Sequence, residues 1–120
     1  MYSEITIKNE TYKLRLNTRA SVSLEKALGR SPLTVLMEMD NGEMPKLQDM
    51  LIIFHSCLQS MNHNMNLDKV YDLFDDYVDE GHTIFDLVPI FIEVFQESGY
   101  LNKPSEKGEA GETEETEAKN

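Results

Sequence analysis

The chain has 120 residues and carries 22 acids against 11 lysines and arginines, for a net charge of −11. That length supports one domain with a single modest core. So acidic a surface repels phosphate and argues against direct nucleic-acid binding, and the lone Cys57 excludes a disulfide framework and a thiolate zinc site.

The charge is unevenly spread. Residues 1–30 are net basic through Lys8, Lys13, Arg15, Arg19, Lys26 and Arg30, whereas residues 31–101 hold two lysines against thirteen acids. The first residues, Met1-Tyr2-Ser3-Glu4, have neither a basic n-region nor an apolar h-region, so no signal peptide is expected. Ile5 and Ile7, then Tyr12, Leu14 and Leu16, alternate with polar residues and predict two half-buried strands around a turn at Asn9-Glu10. Glu10 suits a left-handed position poorly, which favours a turn longer than two residues.

Thr18 is the expected N-cap of a helix that buries Ala20, Leu24 and Leu28 and stops at Gly29. Ser31-Pro32 reads as the N-cap and first position of a short helix with Leu33, Leu36 and Met37 on one face, closed by Asn41-Gly42. Leu47, Met50, Leu51, Phe54, Leu58 and Met61 form the stripe of the next helix. Ile52 and Ile53 widen it enough to predict the central helix of the fold. Cys57 falls within this apolar run and reads as a small core residue.

The segment 67–80 combines two patterns. Leu67, Val70, Tyr71, Phe74 and Val78 make an apolar stripe, while Asp68, Asp72, Asp75, Asp76 and Asp79 recur at helical spacing on the other side. Asn66 is the expected cap and Gly81 the stop. Carboxylates three and four apart repel by roughly 0.2–0.5 kcal/mol per pair, with only Lys69 near to relieve them. An acidic outer face ordinarily does no more than solvate its helix; one that accepts this repulsion is also a candidate docking surface for a basic partner.

Thr83 with Asp86 predicts a capping box for a last helix that buries Ile84, Leu87, Val88, Phe91, Val94 and Phe95, with a kink or break at Pro89 and an end at Gly99. Beyond Lys103-Pro104 only Ser, Glu, Gly, Thr, Lys, Ala and Asn occur, a composition expected to stay disordered. The expected organisation is therefore α+β and predominantly helical. Residues 1–101 form a single globular domain, with an N-terminal β-hairpin within 2–17 and about five helices within 18–100, followed by an acidic tail at 102–120.

Chemistry is nearly absent from the pattern. There is no phosphate loop, paired-histidine metal signature or nucleophile motif, and His55 and Cys57, two apart on a helix, point to different faces. No enzyme, cofactor, metal site or membrane span is expected. Methionines are the second signal, since Met37, Met39, Met44, Met50, Met61 and Met65 all fall between 37 and 65. Met50 belongs to the core stripe, but Met39, Met44, Met61 and Met65 are candidate contacts for a hydrophobic client, because flexible thioethers adapt to many shapes.

Taken in order, the hairpin, Leu24-Glu25-Lys26-Ala27-Leu28-Gly29, Ser31-Pro32-Leu33, Pro45-Lys46-Leu47, Phe54-His55, Leu58-Gln59, Val70-Tyr71-Asp72-Leu73-Phe74-Asp75, Asp79-Glu80-Gly81, Asp86-Leu87-Val88-Pro89 and Glu97-Ser98-Gly99-Tyr100 resemble a known succession. It is similar to that of the small tail assembly chaperones of long-tailed, siphovirus-type bacteriophages and prophages of Gram-positive bacteria. The resemblance covers about residues 1–101, and Asn9-Glu10 departs from the Asn-Gly turn expected of such proteins. It implies a non-enzymatic protein of the host bacterial cytoplasm, absent from the mature virion. Such a protein binds and solubilises the tape measure protein and assists polymerisation of the tail tube protein, with self-association also open. It implies too that a frameshifted, longer product can begin near Lys103. The alternatives are an acidic DNA mimic that inhibits a host nucleic-acid-binding protein, and a structural tail component.

Overall fold

The alternating pattern at the N-terminus folds as an antiparallel hairpin, β1 Ser3–Ile7 and β2 Glu10–Leu14, in a computed structural model that describes residues 2–102. Cα partners run from Ser3↔Leu14 to Ile7↔Glu10, which leaves Lys8-Asn9 as a two-residue turn. Both turn residues have positive φ, 52° and 67°, as a type I′ turn requires. The turn therefore lies one residue before the expected Asn9-Glu10 and is no longer than two residues. Glu10 is excused from a left-handed conformation because it starts the strand.

Five α-helices follow: α1 Thr18–Leu28, α2 Pro32–Asp40, α3 Leu47–Gln59, α4 Leu67–Asp79 and α5 Val88–Ser98, with a 3₁₀ turn at Ile84–Leu87 before the last. The architecture is α+β and predominantly helical, as expected. The acidic tail lies outside the described residues from 103 onward.

The helix starts follow side-chain capping. Asn17, not Thr18, caps α1 by accepting from the Ala20 N–H at 2.8 Å. An amide oxygen caps as well as a hydroxyl, and Thr18 is drawn into the first turn. Ser31 caps α2 from the Leu33 N–H, with Pro32 inside the helix as expected. Asp86 accepts from the Thr83 N–H at 3.1 Å, the reciprocal half of the expected capping box. Pro89 sits in the first turn of α5, so the expected interruption appears as a 3₁₀ turn handing over to a new helix.

Helix α3 packs against α1, α2, α4, α5 and β2 and is the centre of the fold. It buries Met50, Leu51, Ile53, Phe54, Cys57 and Leu58, and the Phe54 and Phe91 rings meet at 6.2 Å. Leu47 stays outside this core at 51% exposure, while Ile52 and Met61 are half-buried. In α2 the buried residues are Pro32 and Val35 rather than the predicted face, and Met37 is 61% exposed. Six of the nine residues of that helix are apolar and lie on all its sides, so periodicity alone could not choose its inward side. Arg30 fixes the corner by reaching both Glu38 of α2 and, at 2.9 Å, Asp49 of α3.

Candidate protein-interaction groove

Helix α4 begins where Asn66 accepts from the Lys69 N–H at 2.9 Å and ends at Glu80. Its inward side is turned from the predicted stripe. Val70 and Tyr77 are buried and Leu67, Leu73 and Phe74 half-buried, whereas Tyr71 and Val78 are 42% and 46% exposed. The cause is docking against two elements at once, α3 and β1. Leu73, which the stripe omitted, turns inward, and the far edge of the stripe turns outward.

That rotation divides the five aspartates. Asp68, Asp72, Asp75 and Asp79 are exposed, while Asp76 is half-buried on the flank nearest the hairpin. None of the five forms an ion pair with another described residue. A groove of about 310 Å³ opens along this flank, lined by Tyr12 of β2, His63 and Met65 of the α3–α4 connection, and Lys69, Asp72, Leu73 and Asp76 of α4. The four α4 residues recur at spacings of three and four, so they share one side of the helix.

The groove walls are tied together. Asn62 donates through Nδ2 to the Lys13 carbonyl of β2 at 2.7 Å and to the Leu58 carbonyl of α3 at 2.8 Å. The Met65 carbonyl lies 3.1 Å from His55 Nε2, and the Lys8 N–H donates to Glu80 at the end of α4. Met65 is buried with the core, against the expectation of an open contact, and Leu73 is half-buried, so together they form an apolar floor with little surface of their own, and Asp72 and Asp76 supply negative charge beside it. The Tyr12 hydroxyl donates to Glu10 at 3.2 Å. Burial, the Glu10 hydrogen bond and charge, and the Asp76 charge together raise the Tyr12 phenol above its ordinary range, so it stays a neutral donor.

The structure thus brings Met65 together with Asp72 and Asp76 and leaves Asp68, Asp75 and Asp79 on the adjoining solvent face. The other candidate methionines lie elsewhere. Met39 is half-buried near the end of α2, Met44 is 71% exposed in the α2–α3 connection, and Met61 is half-buried just past α3. Sequence reasoning missed Tyr12, His63, Lys69 and Leu73. Tyr12 was legible as a strand residue but not as a groove wall, since only tertiary packing brings β2 beside α4.

No three His, Cys, Asp or Glu side chains converge as a metal-holding group among the described residues. Cys57 is wholly buried and burial pushes its thiol up, which keeps it a core residue. No described helix is long and apolar enough to cross a membrane. What the groove offers is recognition: a small apolar floor and an acidic rim continuous with an acidic helix face.

No curated protein and no solved structure matches the chain. A family model described as a family of unknown function, DUF6096, matches residues 4–119, and the chain belongs to that family.

Proposed function

We propose that this protein is a non-enzymatic assembly chaperone of a bacteriophage or prophage tail. It holds the tape measure protein soluble in the host bacterial cytoplasm while tail tube subunits polymerise around that client. The observation that carries the reading is the groove between the hairpin and α4, where a floor of buried Met65 and half-buried Leu73 adjoins the Asp72 and Asp76 carboxylates. A basic amphipathic helix is the complementary ligand, since its apolar side chains enter the groove and its lysines meet the aspartate face. The uncompensated repulsion along α4 supports this, because a cationic client relieves it on docking. The family resemblance over about residues 1–101 supplies the identity of the client.

Co-expression tests the proposal. The tape measure protein encoded in the same phage or prophage genome is produced alone and together with this chain. A large gain in soluble client, with the two proteins co-purifying at low salt, is the expected outcome. A client equally insoluble in both cases, with no complex, overturns the reading.

A further inference from the structure

Helix α1 carries a second charged surface, opposite in sign to α4. Leu24 is buried, with Ala20 and Leu28 half-buried beside it. At 100° per residue Arg19, Val22, Ser23 and Lys26 fall on the opposite side, and Val22 is 47% exposed between the two cations. Arg19 and Lys26 form no ion pair among the described residues, nor does Arg15, whose backbone is held by Cys57 and Ser60 beside the start of α1. Arg30, by contrast, is committed to Glu38 and Asp49. Glu25, the nearest acid on α1, accepts from the Tyr100 hydroxyl at 2.9 Å.

We propose that this α1 face is the docking site of the chain's own acidic segment, residues 103–120. Four observations carry the assignment. The segment starts beside the face, because Tyr100 also donates to the Ser21 carbonyl at 3.4 Å. A shallow cavity of about 240 Å³, lined by Thr18, Ser21, Val22, Glu25, Ser98, Gly99 and Tyr100, leads from that point to Val22. The charge is complementary: Glu109, Glu112, Glu114, Glu115 and Glu117 fall in one run without an intervening base. The reach is ample, since ten extended residues span about 33 Å and an eleven-residue helix is only about 16 Å long. Finally, the family model runs to residue 119 and so includes this segment.

The tether distinguishes the chain's own segment from another acidic occupant. Covalent attachment over so few residues gives a local concentration on the order of millimolar, far above that of a second molecule in dilute solution. The segment has no large apolar side chain to cover Val22, so the contact is electrostatic and screened by salt. The inference does not depend on the proposed chaperone role.

The test uses the full chain, ¹⁵N-labelled, with Ala118→Cys carrying a nitroxide; Cys57 is buried and stays unlabelled. In low salt the amide signals of Arg19, Val22, Ser23 and Lys26 should lose about half their intensity, as expected for a millimolar contact at millimolar local concentration. Those of Asp68, Asp75 and Asp79 should not. The loss should vanish at about 0.5 M salt, and also when Glu112, Glu114, Glu115 and Glu117 are all changed to Gln. No loss on α1 at low salt, or a loss indifferent to the four substitutions, overturns the proposal. So does an equal loss in unlabelled-spin molecules mixed with spin-labelled ones, which would make a second copy the occupant.

Discussion

The Lys8 N–H donates to Glu80 Oε2 at 2.9 Å, joining the hairpin turn to the end of α4 across 72 positions of sequence. It ties the hairpin to α4, as the Asn62 contacts with Lys13 and Leu58 tie β2 to the end of α3. Glu80→Ala should therefore loosen the hairpin locally. We expect faster hydrogen exchange at the Lys8 amide with a stability loss of only about 0.5 kcal/mol, because the bond is solvent-exposed. Unchanged exchange at that amide would show that the two elements are held by packing alone.

The turn itself is improvable. Lys8 has φ 52° and Asn9 φ 67°, and a lysine gains nothing from that conformation. Replacing the pair by Asn-Gly, through Lys8→Asn with Asn9→Gly, should stabilise the protein by about 0.5–1 kcal/mol. A higher denaturation midpoint at unchanged slope is the expected result. A midpoint that stays put or falls would contradict the type I′ assignment.

Helix α4 offers a direct test of its rotation. Val70 is wholly buried, whereas Tyr71 and Val78 are over two-fifths exposed. Tyr71→Ser and Val78→Ser should each change stability by no more than about 0.5 kcal/mol. Val70→Ala should cost more, about 1–2 kcal/mol, because it removes two buried carbons and leaves a void. Equal losses at all three positions would restore the stripe expected from periodicity.

These cases mark how much was legible. Alternation and 3.6-residue periodicity gave the hairpin, the central helix, the Ser31-Pro32 start and the break near Pro89, because each rests on a local rule. What slipped was register: the turn by one residue, the α1 cap from Thr18 to Asn17, and the inward side of α4. The side of α4 is decided by the neighbours it meets, which one sequence does not carry, whereas the turn and the cap are local choices between adjacent residues that suit the position about equally. The aspartate row was legible as a pattern, yet its division into a groove rim and an outer face needed the hairpin in place.

The Arg30 corner predicts a pH dependence. The Arg30 hydrogen bond, against a smaller opposing effect of desolvation, holds the Glu38 carboxyl below its ordinary value of 4.5. A depressed folded value means that the contact stabilises above the ordinary value and that this contribution is lost as pH falls through the depressed one. Arg30→Gln should therefore lower the denaturation midpoint at neutral pH, and the gap from wild type should narrow in acid. A gap that is constant with pH would show that Arg30 acts by packing rather than charge.

The central claim is that the α4 face and its groove capture a basic helical client. Stopped-flow association with a purified lysine-rich helical segment of the tape measure protein tests it most directly, comparing wild type with the variant Asp72→Asn, Asp75→Asn, Asp79→Asn. These three side chains are exposed, so the variant should fold as wild type does. The expected result is an association rate lower by about tenfold in low salt, with the difference gone at about 0.5 M salt where the field is screened. Equal rates for both proteins at both salt concentrations would contradict the account and leave the aspartates as a merely solvating face.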